Sequence, residues 1–297
     1  MILLTGSSGF LGKEIIASLQ KQRIEFVSVG RGESNIIQSD LSNKIPSLPP
    51  VEMAVHAAGK AHIVPKTDED RKDFFNVNVT GTQNLLAALE NQQSLKKFVF
   101  ISSVAVYGLA EGINVGEDAP LMANEPYGKS KIDAEQLVAD WCTKRSIDFY
   151  ILRLPLIAGK NAPGNLGAMV KGIHSGRYLS IGKAAAKKSM ILAEDLAHFI
   201  IHIQGPSGVY NLTDGYHPSF SELENMIAQF YNKKQPMSLP AVIAKLLGVA
   251  GDLIGARFPV NSNKLRKITS TLTFDDTKAR MYLNWRPREV LKAWEIE

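Results

Sequence analysis

The stretch Thr5-Gly6-Ser7-Ser8-Gly9-Phe10-Leu11-Gly12 decides the fold of this chain. Residues 2–4 before it predict a short buried strand, and residues 12–22 after it predict an amphipathic helix. A strand, a glycine turn and a helix form the phosphate-binding unit of a doubly wound fold, because the helix N-terminus faces a pyrophosphate. The glycine spacing is Gly-x-x-Gly-x-x-Gly, and an ordinary glycine-rich turn is the alternative interpretation.

The next informative feature is Tyr127-Gly128-Lys129-Ser130-Lys131. A Tyr and a Lys four residues apart lie on one face of a helix. An ammonium beside a phenol favours the phenolate, so we expect Lys131 to lower the pKa of Tyr127 from its usual value of about 10. Such a Tyr fits a proton donor or acceptor for an alcohol/ketone pair. The pair by itself occurs by chance on many helices, so its meaning depends on the glycine turn.

Hydrophobic patterning over the first half of the chain alternates between strand and helix. It predicts strands at 2–4, 25–29, 52–56, 97–102 and 148–153, and helices at 12–22, 72–91 and 126–145. This alternation predicts an α/β fold, a Rossmann-type doubly wound parallel sheet with a smaller C-terminal substrate-binding lobe. We expect residues 1–155 to form the dinucleotide-binding domain and residues 156–297 the substrate-binding region, which partly returns to the sheet.

The glycine turn and the Tyr-x-x-x-Lys pair together resemble the extended short-chain dehydrogenase/reductase family, which includes NAD(P)-dependent nucleotide-sugar epimerases, dehydratases and 4-keto reductases. The resemblance extends over nearly the whole chain, with intervening matches at Asp40-Leu41, His56-Ala57-Ala58-Gly59, residues 78–82 and residues 102–108. It implies that the cofactor is held by Gly6, Gly9, Phe10, Leu11, Gly12, Asp40, Leu41, Ala57, Ala58, Gly59, Asn78, Tyr127 and Lys131.

The resemblance also implies the catalytic roles. Tyr127 would be the base for the hydroxyl proton, Lys131 would hold the nicotinamide ribose, and Ser103 would hydrogen-bond the reacting oxygen. Ser103 rather than Ser102 aligns with the family when the strand is matched through residues 106–108. A serine-hydrolase interpretation has no support, since no Gly-x-Ser-x-Gly elbow surrounds either serine.

The end of the second strand addresses the choice of cofactor. An NAD-preferring site usually carries an acidic residue there, whereas this strand ends in Gly30-Arg31. Arg31 could pair with a 2′-phosphate in a two-pronged manner, so we predict NADP(H). Glu33 nearby keeps NAD, or a pocket that takes either cofactor, as the alternative.

Several positions separate the branches of the family. The sugar 4,6-dehydratases carry two carboxylates directly after the catalytic hydroxyl residue, but this chain has Val104 and Ala105. Leu156 stands where many 4-epimerases have an Asn. The resemblance therefore favours a reductase of a 4-keto nucleotide sugar, with a 4-epimerase that retains NAD as the alternative and a non-catalytic dinucleotide sensor as the third hypothesis.

The C-terminal half resembles bacterial surface-polysaccharide enzymes that act on UDP- or dTDP-activated sugars, mainly through residues 274–287. The resemblance implies that Asn165 and Lys188 meet the nucleotide diphosphate, together with Ser103 as a substrate-binding residue. Each has a plainer alternative: a loop or cap residue for Asn165 and a solvated charge for Lys188. We also expect a homodimer built from the helices at 72–91 and 126–145, as in relatives.

Composition limits the other function classes. The formal net charge of +5 suits a ligand with two phosphates, while scattered Lys and Arg without a stacking platform argue against nucleic-acid binding. The single cysteine, Cys142, argues against a disulfide framework or a cysteine-based metal cluster, and we predict no metal site.

The ends and the apolar segments bear on location. Met1 leads directly into the first strand, so we expect a cytoplasmic protein without a signal peptide. The apolar stretch Leu239–Phe258 is interrupted by charges and glycines, which argues against a membrane-spanning helix. It is either a buried or lid helix of the substrate region or a segment that lies weakly on a membrane surface.

Overall fold

The computed structural model describes residues 1–61, 63–254 and 262–296. In these ranges the strands are β1 (Ile2–Thr5), β2 (Phe26–Gly30), β3 (Ile37–Gln38), β4 (Met53–His56), β5 (Lys97–Ser103), β6 (Gly112–Val115), β7 (Asp148–Leu154), β8 (Leu156–Ala158), β9 (Leu179–Ile181), β10 (Met190–Leu192), β11 (Gly208–Asn211), β12 (Met237–Leu239) and β13 (Leu272–Phe274). The α-helices are α1 (Phe10–Lys21), α2 (Asp68–Phe75), α3 (Gly81–Ala88), α4 (Pro126–Lys144), α5 (Gly164–His174), α6 (Ala193–His202), α7 (Phe220–Phe230), α8 (Ala241–Ile254), α9 (Ser262–Thr269), α10 (Thr277–Tyr282) and α11 (Val290–Ala293).

The central feature is a parallel sheet with the strand order β3-β2-β1-β4-β5-β7-β11, seven strands in the described ranges. From β1 the chain adds β2 and β3 towards one edge of the sheet. It then crosses back to β4, on the other side of β1, and adds β5, β7 and β11 towards the other edge. The strand order therefore reverses between β1 and β4. Ligands of doubly wound folds bind at this switch point, beyond the carboxyl ends of the strands. The Rossmann-type α/β fold predicted from the sequence is confirmed.

Apolar side chains cover both faces of the sheet. One face packs against α1, α6 and α10, and the other packs against α3 and α4. The strands that lie between these two layers are buried on both sides, which explains their nearly continuous apolar sequences. A separate apolar cluster joins α5, α7, α11, β8 and β10 in the C-terminal half.

The five predicted strands are confirmed, and β11 from the C-terminal half pairs with β7 at the edge of the sheet. The predicted helix 72–91 is instead three segments, because a π-helix (Asn76–Thr80) separates α2 from α3. The predicted apolar stretch 239–258 is largely α8, and its residues 255–258 lie outside the described part. Among the helices that are described, none combines the length and the apolarity that crossing a membrane requires.

A buried ion pair joins the sheet to the helix that carries Tyr127. Arg153 Nη2 at the end of β7 donates to Glu135 Oε2 of α4 (2.8 Å), and both side chains are about 5% exposed. Ser102 at the end of β5 donates to the same carboxylate. Burial alone would lower the pKa of Arg153, but the hydrogen bonds and the charge of Glu135 raise it. The pair therefore fixes α4 against β5 and β7.

We expect Arg153→Met to lower the free energy of unfolding by about 3 kcal/mol or more, because it leaves the Glu135 carboxylate buried without its partner. The double variant Arg153→Met/Glu135→Leu should be less destabilised than the sum of the two single changes, since it removes both charges. Urea unfolding of the four proteins measures both effects. An Arg153→Met protein within about 1 kcal/mol of the parent would contradict this role.

Candidate active site

The glycine turn between β1 and α1 closes against the loop that follows β4. Gly6 has φ +74°, and a Cβ there would lie 2.5 Å from the backbone nitrogen of Ala58. A Cβ on Gly12 would lie 2.0 Å from Gly6 O. Gly9 is the N-cap of α1 and offers no side chain, so the N–H groups of the first turn are free to meet an anion.

The side chains of Phe10 and Leu11 have packing roles. Leu11 is buried in the apolar layer beneath the sheet, and Phe10 packs with the C-terminal cluster, where a Cβ on Gly159 would lie 3.0 Å from its ring. Their predicted contact with the cofactor stays a prediction, and the backbone of the first helical turn is the part of both residues nearest the glycine turn. Phe10 also joins the glycine turn to the apolar cluster of the C-terminal half.

The end of β2 is shaped by Asn35, which the sequence analysis did not single out. Asn35 Oδ1 accepts a hydrogen bond from Ser7 Oγ in the glycine turn (2.5 Å), and its Nδ2 donates to Gly32 O (2.9 Å). Arg31 is exposed beside this loop. Hydrogen bonds from Ser42 and, more weakly, the charge of Arg31 lower the pKa of Asp40. Arg31 and Asp40 are thus brought to the same side of the pocket.

Leu41 is buried in the layer under α3, and its carbonyl accepts from Asn84 Nδ2 (2.7 Å). The Asp40-Leu41 pair therefore has one side chain at the pocket edge and one in the core. Asn84 lies in the first half of α3, less than two turns beyond Asn78, so this hydrogen bond fixes the loop after β3 to α3.

The loop after β4 contacts both the π-helix and α4. Ala57 and Ala58 are half-buried and Gly59 is exposed. A Cβ on Gly59 would lie 3.1 Å from Asn78 Oδ1 and 3.2 Å from Lys131 Nζ. A side chain at position 59 would therefore crowd Asn78 and the predicted catalytic lysine, and glycine leaves an open cradle beside them.

Asn78 holds this cradle together. Its Oδ1 accepts from Lys60 N (2.7 Å), and its Nδ2 donates to Ser130 Oγ (2.8 Å). Ser130 Oγ in turn donates to Tyr127 O (2.8 Å). The amide is thus committed to protein groups, and its role here is to tie the loop after β4 to the first turn of α4.

A buried hydrogen-bonded chain runs from β1 to the π-helix through His56. Thr82 Oγ1 donates to Asn78 O (2.6 Å), so its oxygen accepts from His56 Nε2 (2.9 Å). His56 Nδ1 then accepts from Thr5 Oγ1 (2.6 Å), which itself accepts from Ala58 N (3.1 Å). This donor order assigns a neutral imidazole that carries its proton on Nε2. His56 thereby holds the backbone of Asn78 in place.

Ser103, Tyr127 and Lys131 converge where β5 meets α4. Ser103 ends β5, and its Oγ accepts from Ala105 N (3.2 Å) while it hydrogen-bonds the phenol of Tyr127. Lys131 Nζ lies over the Phe100 ring, 4.6 Å from its centroid. Ser102 faces away from this group, because its hydroxyl donates to Glu135.

The pKa of Tyr127 shifts in the direction opposite to the one expected from the sequence. Burial raises the pKa of Tyr127, and the hydrogen bond with Ser103 only works against this rise. Lys131 Nζ donates to Ile101 O (2.8 Å), so the ammonium is directed at a backbone carbonyl. Burial therefore determines the direction in which the pKa of Tyr127 shifts. Burial also lowers the pKa of Lys131 to about 8, although the charge of Glu135 opposes this.

The predicted substrate residues lie in the C-terminal lobe. Asn165 is exposed at the second position of α5, and Leu166 beside it is buried. Lys188 is half-buried before β10, and burial lowers its pKa to about 8. Their contact with a diphosphate stays a prediction. His56 and Asn78 were found through motif resemblance, whereas Asn35, Ser130 and Glu135 belong to no spacing pattern and required the three-dimensional structure.

A glycine turn at the switch point, beside a Ser, a Tyr and a Lys, defines a nicotinamide-dependent enzyme of the extended short-chain dehydrogenase/reductase class. The model of the NAD dependent epimerase/dehydratase family matches residues 2–212. The chain belongs to this family, as the sequence resemblance implied.

Three relatives show which reactions occur among similar chains. The N-acetyl-alpha-D-glucosaminyl-diphospho-ditrans,octacis-undecaprenol 4-epimerase of Escherichia coli O157:H7 is 31% identical over 93% of this chain and 88% of its own length. The UDP-glucose 4-epimerase of Vibrio cholerae is 27% identical over 98% and 92%. The GDP-6-deoxy-D-mannose reductase of Pseudomonas aeruginosa is 27% identical over 76% and 79%.

Solved structures share the fold. The UDP-glucuronic acid 4-epimerase of Bacillus cereus in complex with NAD superposes with a TM-score of 0.74 at 20% identity, over 99% of this chain and 95% of that one. RMD from Pseudomonas aeruginosa complexed with NADPH gives a TM-score of 0.74 at 20% identity, over 98% and 96%. At this identity the likeness establishes the Rossmann-type fold.

Gly6→Ala should abolish cofactor retention, because its Cβ would collide with backbone atoms of the loop after β4. Gly176→Ala is the matched control, since Gly176 has a similar φ of +68° but nothing within 4 Å of the added Cβ. The control should lose roughly 1 kcal/mol of stability to backbone strain and keep the cofactor. Nicotinamide content and thermal unfolding of both variants measure this. Equal cofactor loss in the two variants would refute the close-approach argument.

Burial of neutral His56 should make folding sensitive to acid. Burial, helped by the charge of Lys131, lowers the pKa of His56 to about 3 from the usual 6.5. Below pH 6.5 the unfolded chain binds a proton that the folded chain refuses, so stability falls as pH drops towards 3. The loss from this group is about 1.4 kcal/mol per pH unit.

His56→Gln should be less stable than the parent at pH 7.5, and the gap should narrow between pH 6 and pH 4 because the variant lacks this titration. Urea unfolding at several pH values measures the gap. His198→Gln, a change at an exposed histidine, serves as the control and should leave the pH dependence unchanged. A constant gap between the parent and His56→Gln would contradict the assignment of a neutral buried imidazole.

Proposed function

We propose that the protein is a 4-epimerase of a diphosphate-linked sugar that retains NAD through its cycle. The observation that carries this proposal is the alignment of two sugar 4-epimerases over more than nine-tenths of the chain. The paired hydroxyls of Ser103 and Tyr127 at the switch point supply the groups that such a reaction needs. The reductase relative aligns with a smaller share of the chain.

The residues present fit a nicotinamide dinucleotide. The turn at Gly6 to Gly12 and the start of α1 would hold the pyrophosphate through backbone N–H groups. The cradle at Gly59 admits a ligand close to Lys131, because no side chain fills it. Asp40 and Arg31 lie at the pocket edge near the end of β2, where an adenosine is held in this fold.

The chain's own residues handle the proton of the sugar hydroxyl. The bound nicotinamide supplies the acceptor and donor of hydride at C4. Tyr127 takes the hydroxyl proton as the ketone forms and returns it when the alcohol forms again, while Ser103 donates a hydrogen bond to the same oxygen. Lys131 places a positive charge beside this region, although its own ammonium is held by Ile101 O.

Inversion at C4 requires that hydride return to the face of the ketone opposite to the one from which it left. The ketone therefore has to turn over against the nicotinamide, while the bound diphosphate holds the substrate in the site. Asn165 at the start of α5 and half-buried Lys188 are the residues we propose for the diphosphate. A lysine supplies charge without fixed two-pronged geometry, which suits a site that holds one end of a turning molecule. The diphosphate carrier is a nucleoside or a polyprenol, as in the two epimerase relatives.

A 4-keto reductase that uses NADPH is the second candidate. Exposed Arg31 favours it, because a guanidinium at the end of β2 can pair with a 2′-phosphate. Asp40 lies close enough for its pKa to be lowered by Arg31, so part of that charge is already balanced. For this reason we place the reductase second. A role in surface polysaccharide synthesis, a cytoplasmic location and a homodimer formed by α2, α3 and α4 stay predictions.

Denaturing the freshly purified protein and measuring the released nicotinamide distinguishes the two candidates. We expect nearly one NAD per chain, because an epimerase has to keep the hydride that it removes. The purified protein should then convert a C4-deuterated UDP-sugar or polyprenyl-diphospho-sugar into its 4-epimer with the deuterium retained. An empty site that consumes NADPH with a 4-keto sugar would instead establish the reductase.

Tyr127→Phe should lower the epimerisation rate by about 10²-fold or more, since it removes the proton donor and acceptor. Tyr282→Phe, at an exposed tyrosine, is the matched control and should retain full activity. Both variants should keep their NAD and unfold at the parental temperature. Unchanged activity of Tyr127→Phe would contradict both the epimerase and the reductase mechanism.

A further inference from the structure

Helix α8 carries small residues on the face that it buries. Among the positions whose burial is described, Ala244, Gly248 and Gly251 are buried, and they are spaced as one helical face. A Cβ on Gly248 would lie 3.4 Å from the backbone of Ser262, so this small-residue face packs closely on α9. Val242, Leu246 and Val249 lie on the opposite face, away from this close approach.

The outward face of α8 carries large apolar side chains. Val242, Leu246 and Val249 are 70%, 65% and 54% exposed, and they follow each other at helical spacing. Ile243 is exposed beside them. Contiguous exposed apolar side chains of this kind mark surfaces that contact something outside the chain.

The exposed apolar surface continues onto the neighbouring elements. β12 leads through Pro240 into α8, and its Met237 pairs in register with Leu179 of β9. Both of these side chains are exposed, as is Ile268 of α9. We call these exposed side chains of β9, β12, α8 and α9 the α8 surface.

The charge of the whole protein is concentrated in the same segment. Residues 233–270 contain seven Lys or Arg and a single acidic residue, Asp252, so the segment carries +6. The chain as a whole carries +5, which leaves −1 for all the remaining residues. Lys245, Arg266 and Lys267 are exposed around the apolar residues of the α8 surface. Apolar side chains bordered by basic ones are typical of segments that lie on anionic membranes.

We propose that the α8 surface docks on an anionic phospholipid bilayer, with its apolar side chains in the interface and its basic residues against the lipid phosphates. Charge complementarity selects this occupant. A second copy of the chain would bring the exposed cations Lys245, Arg266 and Lys267 against the same cations, whereas an anionic lipid surface attracts each of them. The helix lies in the plane of the interface and does not cross the bilayer, since α8 has only 14 residues.

The docking is independent of the proposed function, because the α8 surface contains none of the cofactor or catalytic residues. It has a consequence for that function, however. An enzyme held at a bilayer meets sugar diphosphates that are anchored in the lipid, so docking favours the polyprenol carrier over the nucleoside. Failure of docking would leave the 4-epimerase intact, and failure of the epimerase assay would leave the docking intact.

Co-sedimentation of the full-length protein with vesicles tests the proposal. We expect binding to vesicles of phosphatidylcholine with about one-third phosphatidylglycerol, weak binding to pure phosphatidylcholine, and a decrease as salt rises, because the lipid charge is screened. Leu246→Gln/Val249→Gln should weaken binding by about tenfold or more, since two side chains no longer enter the interface. Arg266→Gln/Lys267→Gln should weaken binding by about tenfold on the anionic vesicles.

Matched pairs elsewhere control for the loss of exposed apolar groups and of charge. Ile113→Gln/Met281→Gln changes two similarly exposed apolar residues, and Lys44→Gln/Lys144→Gln removes two exposed charges. Neither control pair should change vesicle binding. All variants should keep the parental nicotinamide content and unfolding temperature, which shows that they are folded.

The proposal is overturned if the parent does not sediment with anionic vesicles at physiological salt, or if Leu246→Gln/Val249→Gln binds as the parent does. It is also overturned if the α8 variants and the control pairs lose binding equally. Light scattering without lipid completes the test, because a dimer that disappears in Leu246→Gln/Val249→Gln would assign the surface to a second copy instead.

Discussion

The buried pair between Glu135 and Arg153 is the interaction on which the active-site geometry depends. A carboxylate inside a protein is tolerated only when it is paired, and here Arg153 and Ser102 bind it from two neighbouring strands. Glu135 lies two turns along α4 from Tyr127, so the pair fixes the rotation and position of that helix. As a result Tyr127 faces Ser103, which directly follows Ser102 on β5. The contacts that compensate the burial of the Glu135 charge thus also place the hydroxyls of Ser103 and Tyr127.

A second buried polar chain complements this pair on the other side of the site. The π-helix at Asn76–Thr80 interrupts regular helical bonding, and such segments persist where other contacts stabilise them. His56 and Thr82 supply those contacts through the carbonyl of Asn78. The amide of the same residue then reaches the loop at Lys60 and the start of α4. The sheet, the loop after β4 and α4 are therefore connected through one residue, and the cradle at Gly59 is held by hydrogen bonds from two sides.

The parts of the structure that follow from local pattern could be predicted from the sequence. Each central strand is an apolar run after a turn, and the glycine turn fixes which strand lies at the switch point. The π-helix could not be predicted, because residues 72–91 have helical composition. Its Asn78 is held by residues distant in sequence, by Lys60 directly and by His56 through Thr82. The direction of the Tyr127 pKa was wrong for a related reason. Sequence spacing places Lys131 one turn away, but it does not reveal that the ammonium donates to Ile101 O.

The distribution of charge changes what the basic composition means. A net charge of +5 first suggested a chain adapted to a diphosphate ligand, but residues 233–270 alone carry +6. The rest of the chain, which includes the glycine turn, is therefore not unusually basic, and the start of α1 offers backbone N–H groups instead of cationic side chains to a pyrophosphate. The excess positive charge that attracts anions over a distance lies in the same segment as the exposed side chains of Val242, Leu246 and Val249. Affinity for the cofactor and affinity for an anionic surface thus arise in separate parts of the chain, so either can change in evolution without altering the other.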